Sequence, residues 1–338
     1  MKKRIKINKT IIFCLFIFYL ISILSISSTL NYLPETLNNL VIKQTVFYIL
    51  GIILIFIMIN INLNILINKA KYIYLLNVFL LLLVLLIGTE TNGIKAWFYI
   101  PIFGSFQPSE FMKISLILYL GNIINKNRKN EQSDLNLIIK CLIITLIPSI
   151  LTFLEPDTGA VIVYFVILIV MLFVSGINLK WFIYFIFLGI LGIGSILYLY
   201  LYKQDLFINI FGSSLFYRLD RLFDFINLSG MQLNNSIISI SSSGIFGHGI
   251  NNIPIYFPEL QTDFIFASFT SCFGLLGSII LIMTIFIFDK KIINIAKNKK
   301  ENIYKYILSG ICSVLIYQQI QNISMTIGLL PITGITLP

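Results

Sequence analysis

The chain has 338 residues, of which 58% are hydrophobic and 11% charged, with a mean hydropathy of +0.94 and a net charge of +10. Soluble domains carry roughly 25% charged residues, so this composition excludes a soluble enzyme and indicates an all-α polytopic membrane protein. At roughly twenty residues per crossing, nine or ten helices use most of the chain and leave one membrane domain, 1–338, with no separate soluble unit.

The basic leader MKKRIKINK and the apolar run Ile11 to Ile26 read as a signal anchor, because no small-residue cleavage site follows and further apolar segments come at once. Later spans are predicted at about Thr45–Ile61, Tyr72–Gly88, Pro108–Ile124, Leu137–Phe153, Gly159–Val174, Trp181–Tyr202, Phe264–Phe288 and Ile303–Ile323. A last apolar stretch, Met325 to Pro338, is too short to cross, so the expectation is about ten transmembrane helices with the last incomplete. A large outer loop, 203–262, separates helices seven and eight. The cysteines, Cys14, Cys141, Cys272 and Cys312, stand singly in apolar runs and read as core thiols.

With the N-terminus inside, 18 of the 24 cations fall on cytoplasmic pieces, which fixes the orientation. The acids run the other way, and Glu110, Glu155, Asp157, Glu259 and Asp263 all lie at or near the outer face. The basic excess is thus a topological device that meets anionic lipid, with no nucleic-acid partner implied.

Four outer features carry candidate chemistry. The loop Glu90 to Gln107 holds Trp97, Phe98 and Tyr99, which suit either an interfacial aromatic belt or a lipid or sugar contact. Gln107-Pro108-Ser109-Glu110 opens a helix, and Lys113 shares a face with Glu110. That spacing allows a plain structural ion pair, but a lysine at hydrocarbon depth favours a wet functional cavity. Tyr217 to Gly230 reads as an amphipathic surface helix whose Arg218 could meet a phosphate. Finally, Ser241–Gly249, SSSGIFGHG, leads into PIYFPELQTDFIFA, where Asp263 abuts an apolar helix. The lone histidine, His248, is assigned a loop role. Asp263 equally suits an ordinary helix start, where the dipole favours an acid by about 0.3 to 1 kcal/mol, and Glu155-Pro156-Asp157 is a tight turn.

QPSEFMK, EPDTGAVIVYF, GIFGHG, FPELQTDFIFA, GLLG and MTIGLLPITGITLP occur in this order along the chain. In order and spacing they resemble the SEDS family of shape, elongation, division and sporulation proteins, which includes RodA and FtsW, with LLPITGITLP more like the RodA and sporulation branch. The resemblance implies ten helices and polymerisation of lipid II into peptidoglycan beside a class B penicillin-binding transpeptidase, in the bacterial cytoplasmic membrane. It also implies that Asp263 is the essential carboxylate, that Glu110 and Lys113 line the cavity, and that Trp97 matches the Trp of a Lys-Arg-Trp element. The sequence departs from the family at Ala96, at the SSSG of Ser241–Gly244 and at Ser271-Cys272-Phe273, and it stops before the closing helix.

Joining two lipid-linked sugars needs one base and positive charge near the leaving pyrophosphate. Asp263 is the expected base and Lys113 and Arg218 the expected cations. No cofactor is required by the residues, a divalent cation at the pyrophosphate being the open candidate. Direct displacement by a single base would invert the anomeric carbon. Two other readings stay open: a lipid II flippase, which also wants an intramembrane Glu-Lys pair, and a non-catalytic scaffold for a transpeptidase.

Overall fold

A computed structural model describes residues 8–33, 39–91, 94–100, 104–131, 133–212 and 230–337. The expected amphipathic helix at Tyr217–Gly230, including Arg218, lies almost wholly outside the described residues. Helices α1 (Lys9–Thr29), α2 (Leu40–Asn60), a short α3 (Leu63–Asn68) and α4 (Ala70–Ile87) are followed by strands β1 (Thr89–Thr91), β2 (Ile94–Ile100) and β3 (Gly104–Phe106). Then come α5 (Pro108–Lys129), α6 (Asp134–Leu154), α7 (Thr158–Val174), α8 (Lys180–Tyr202), α9 (Gln204–Phe211), α10 (Met231–Ser241), α11 (Ile265–Lys297) and α12 (Asn302–Thr326).

Six of these helices, α1, α2, α4, α6, α8 and α11, are long and apolar enough to cross a membrane. Helix α7 is apolar but shorter, at 17 residues, while α5 and α12 are long and carry buried polar side chains. The nine predicted spans are therefore all helices, and 327–337 follows α12 without regular secondary structure.

Helix α5 lies at the centre. Met112, Leu116, Leu120 and Ile124, one per turn, are buried against Val163, Ile167 and Met171 of α7 and side chains of α4, α6 and α12. Lipid is as apolar as these side chains, so their association gains from close packing and polar stitching more than from leaving water. The stitching is visible where Tyr74 Oη donates to the Ile144 carbonyl at 2.8 Å and Asn122 Nδ2 to the Ile67 carbonyl at 3.0 Å. By contrast α2 buries no residue and α8 almost none, as expected of lipid-facing helices.

The loop after α4 is a small antiparallel sheet ordered β1-β2-β3. Phe98 pairs with Phe106 across it and their rings stack at 6.5 Å. Bulky aromatics at facing positions favour such pairing, and the expected aromatic loop is thereby a platform resting on α4 and the start of α5.

Helix α11 is broken at Gly274 (φ 65°, ψ −162°). The break removes the bonds that the Leu275 and Leu276 N–H groups would make to the Ser271 and Cys272 carbonyls. The segment after α10 supplies replacements: Leu275 N donates to Gly244 O at 3.0 Å and Leu276 N to Ile245 O at 3.2 Å. In return His248 N donates to Ser271 O at 2.9 Å and Gly249 N to Cys272 O at 3.0 Å. The small-residue run thus completes a broken helix, with His248 contributing its backbone. Gly247 (φ 79°) lies so close that a β-carbon there would collide with the Cys272 carbonyl.

Gly247→Ala is therefore expected to lower thermal stability in detergent well beyond Gly104→Ala. Gly104 also has positive φ but faces open space, so alanine there costs only backbone strain, about 1 to 2 kcal/mol. Equal melting shifts for the two variants would show that close approach at Gly247 is not what the loop requires.

Candidate functional site at one end of the bundle

The start of α5, the α6–α7 turn and the start of α7 form a polar frame. Lys113 is 5% exposed and its Nζ sits 2.6 Å from Glu110 Oε1, while the Glu110 side chain is exposed. Asp157 caps α7 by accepting from Ala160 N at 3.0 Å through Oδ1. Its Oδ2 accepts from Gln107 Nε2 at 2.9 Å and from Ser109 Oγ at 3.4 Å, which ties α7 to α5. Tyr164 Oη reinforces the junction by donating to the Ser109 carbonyl at 3.0 Å. Burial pushes the Asp157 carboxyl above its usual range, opposed by the Ala160 N–H and the nearby Lys113 charge.

Glu155, in the same turn, is fully buried, and among the described residues neither carboxyl oxygen has a hydrogen-bond partner. Burial, with a smaller push from Asp157, raises it to about 8. It is a neutral acid at neutral pH, as an unpaired buried carboxyl must be.

Asp263 lies in the turn before α11, held from both sides. Thr262 Oγ1 donates to Glu259 Oε2 at 2.7 Å, and Ser268 Oγ donates to the Leu260 carbonyl at 2.7 Å. Glu259 itself has φ 62°, in the left-handed region that a residue with a β-carbon occupies only when its surroundings impose it. Asn322, fully buried at the end of α12, donates from Nδ2 to the Asp263 carbonyl at 2.8 Å and to the Ile335 carbonyl at 2.9 Å. Burial, with the Glu259 charge second, raises Asp263 to about 6. The cap residue of α11 is Phe264 and no side chain caps the helix, so Asp263 is not serving as an ordinary helix start.

The stretch 331–337 joins the two groups. Its Thr333 carbonyl and Ile335 side chain pack on Gly159 of α7, and its Gly334 backs onto the Asp263 carboxylate. Gln321 Nε2 holds it by donating to the Pro331 carbonyl at 3.0 Å. Glu110 and Lys113 thus sit together with Asp157 on one side, and Asp263 with Glu259 on the other. Trp97 is half-buried on β2 and paired with Thr89. Arg218 is outside the described residues. Among the described residues no three His, Cys, Asp or Glu side chains are arranged to hold a metal ion.

Sequence reasoning passed over Glu155, Asp157 and Asn322. The two acids were assigned to turn chemistry, although an acid at the edge of an apolar span was the same signal that singled out Asp263. Asn322 is one amide in a helix with several, and nothing in the sequence ranks it above Gln319 or Gln321.

A model of the cell cycle protein family FtsW/RodA/SpoVE matches residues 6–338. The chain is 31% identical to stage V sporulation protein E of Bacillus subtilis over 271 residues, 77% of this chain and 70% of the relative. It is 34% identical over 276 residues to the "Probable peptidoglycan glycosyltransferase FtsW" of Wigglesworthia glossinidia brevipalpis, 78% of this chain and 68% of the relative. Among solved structures, one described as structural coordination of polymerization and crosslinking by a peptidoglycan synthase complex superposes with a TM-score of 0.80 at 23% identity. That match covers 98% of this chain and 90% of the other. Rod shape determining protein RodA of Thermus thermophilus gives 0.69 at 22% identity, covering 99% and 90%.

Glu155 makes a pH-dependent prediction. Its pKa in the folded protein, about 8, lies above the roughly 4.3 of an unfolded chain, so between those values the folded state binds more protons and stability falls as pH rises. Asp263, at about 6, has largely finished titrating by neutral pH, which leaves Glu155 to act above it. The melting temperature should therefore drop between about pH 7 and pH 9, and Glu155→Gln should flatten that drop. An unchanged slope in the variant would mean that Glu155 is not the titrating group.

Proposed function

Because the chain belongs to the FtsW/RodA/SpoVE family, matched over residues 6–338, we propose that it is a peptidoglycan glycosyltransferase. It polymerises lipid II into glycan strands at the outer face of the bacterial cytoplasmic membrane, in cell elongation or division. The observation that carries this reading is Asp263: a half-buried carboxylate with no capping duty, raised to about 6 and fixed through its backbone by Asn322. A base is most effective when its pKa lies near the working pH. Asp263 takes the proton of the acceptor sugar hydroxyl, whose oxygen attacks the anomeric carbon of the donor. The bond from that carbon to phosphate breaks, and undecaprenyl pyrophosphate leaves with the electron pair. Attack opposite the leaving group inverts the centre and gives a β linkage.

Lys113, held by Glu110 beside Asp157, is the first proposed cation for the pyrophosphate. Arg218 is the second proposed cation at the pyrophosphate, and a divalent cation there is the further candidate. Trp97, on its aromatic platform, meets the lipid or sugar. The polymerase reading is favoured over a flippase because Glu110, Lys113, Glu155, Asp157, Glu259 and Asp263 gather at one end of the bundle. The lipid tail stays in the outer leaflet while the headgroup reaches this end. A class B penicillin-binding transpeptidase is the proposed partner, in keeping with the fold shared with a peptidoglycan synthase complex, and the cytoplasmic N-terminus follows from the positive-inside rule.

Asp263→Asn should leave folding and membrane insertion intact, because Asn322 holds the backbone carbonyl and not the carboxylate. Polymerisation of lipid II should fall by on the order of a hundredfold or more. In the native protein the rate should fall as pH drops through about 6, where the carboxylate takes up its proton. A folded Asn variant polymerising near the native rate would remove Asp263 as the base and make Glu110 the next candidate.

Orientation is checked separately. A reporter active only outside the cell should work when fused after Asn235 and be silent after Lys129, and the reverse pattern would overturn the outward placement of the site.

A further inference from the structure

From the end of the bundle remote from Asp263, a cavity of about 640 Å³ runs between α7, the last turns of α11 and residues 305–320 of α12. Its walls include Val166 and Val170 of α7 and Ile316 and Ile320 of α12. Ser309 and Ser313 also line it, but their hydroxyls donate to carbonyls of their own helix, Tyr306 and Gly310, both at 2.7 Å. The wall is therefore apolar in practice. From Lys305 to Ile320 it follows α12 for roughly 22 Å at 1.5 Å per residue, more than the roughly 15 Å of half a hydrocarbon core. A chain from one leaflet fits its whole length.

The mouth is different in character. Lys297, ending α11, and Lys305, in the first turn of α12, both line the cavity. Neither forms an ion pair among the described residues. The nearby Glu301 is exposed and unpaired with them, and Lys299 and Lys300 in the same turn add to the charge. Asp289, deeper on α11, has the Gln319 side-chain amide against its carboxylate. An apolar slot closed at the headgroup level by two lysines without acid partners has the polarity of an anionic amphiphile. Basic pockets between transmembrane helices hold anionic headgroups in this way.

We propose that this groove is a binding site for an anionic phospholipid of the leaflet opposite the candidate site, with an acyl chain along α7 and α12 and the phosphate between Lys297 and Lys305. The two lysines provide the selection for charge, and the groove provides the retention.

The test uses the full chain, purified in detergent and re-supplied with phosphatidylglycerol or phosphatidylcholine, with bound lipid counted by native mass spectrometry. The native protein should retain phosphatidylglycerol over phosphatidylcholine by about tenfold or more. The pair Lys297→Gln and Lys305→Gln should lose that preference, while Lys69→Gln with Lys71→Gln, also at this end but outside the groove, should keep it. Val170→Phe, which fills the groove with the lysines intact, should lose the retained lipid. Equal retention of the two lipids by the native protein would overturn the proposal. So would an unchanged preference in the Lys297/Lys305 variant, or full retention in Val170→Phe.

Discussion

The structure turns on an exchange of backbone hydrogen bonds at the break in α11. Two bonds of an ordinary helix are lost there, and four bonds to residues 244–249 replace them, with lengths from 2.9 to 3.2 Å. In water such a trade is nearly neutral, since each bond contributes only about 0.5 to 1.5 kcal/mol net. At the edge of a bilayer the alternative is an unsatisfied peptide group, which costs several kcal/mol. The loop and the break therefore stabilise each other, and neither is tolerable alone. Gly247 and Gly274 are the two positions where the backbones come too close for a side chain.

That exchange also decides where the acids stand. Ser268, in the short helical piece before the break, fixes the turn that carries Asp263, and Asn322 ties the same turn to α12. On the facing side, Asp157 is a helix cap, a strut to α5 and a neighbour of Lys113 at once. Lys113 stands between two acids, paired with Glu110 and close to Asp157. Glu155 avoids the cost of a buried charge by staying protonated. Two carboxyls of this end thus titrate on either side of neutral pH, Asp263 at about 6 and Glu155 at about 8, while Asp157 is committed to structure.

Much of this was legible in the sequence. All nine spans were readable because hydrocarbon permits few alternatives to an apolar helix of about twenty residues. Pro108 marked the start of α5 and Tyr202 the end of α8. Asp263, Glu110 and Lys113 were visible because charge at a membrane edge is costly and therefore conspicuous. What stayed hidden was backbone geometry. GLLG reads as one uninterrupted apolar run, and no periodicity marks the break at Gly274. The strands β1 to β3 were hidden by their shortness, three residues in two of them. The SSSGIFGHG run was conspicuous as a glycine-rich segment, but its partner, a broken helix, could be found only in three dimensions.

The break also resolves a conflict of lengths. An unbroken helix over 265–297 would run roughly 50 Å, well beyond a hydrocarbon core of about 30 Å, and would carry Asp263 out into water. With the helix interrupted at Gly274, residues 275–297 alone provide roughly 34 Å, enough to cross. The nine residues before the break are freed to lean on the bundle, where Phe266, Ala267 and Phe269 are buried. Asp263 is thereby kept at the level of Gly334 and Asn322 rather than above it. A carboxylate can be half-buried at the membrane surface only if the chain carrying it changes direction there, and a glycine with positive φ, its bonds completed by a second segment, is the change of direction this sequence uses.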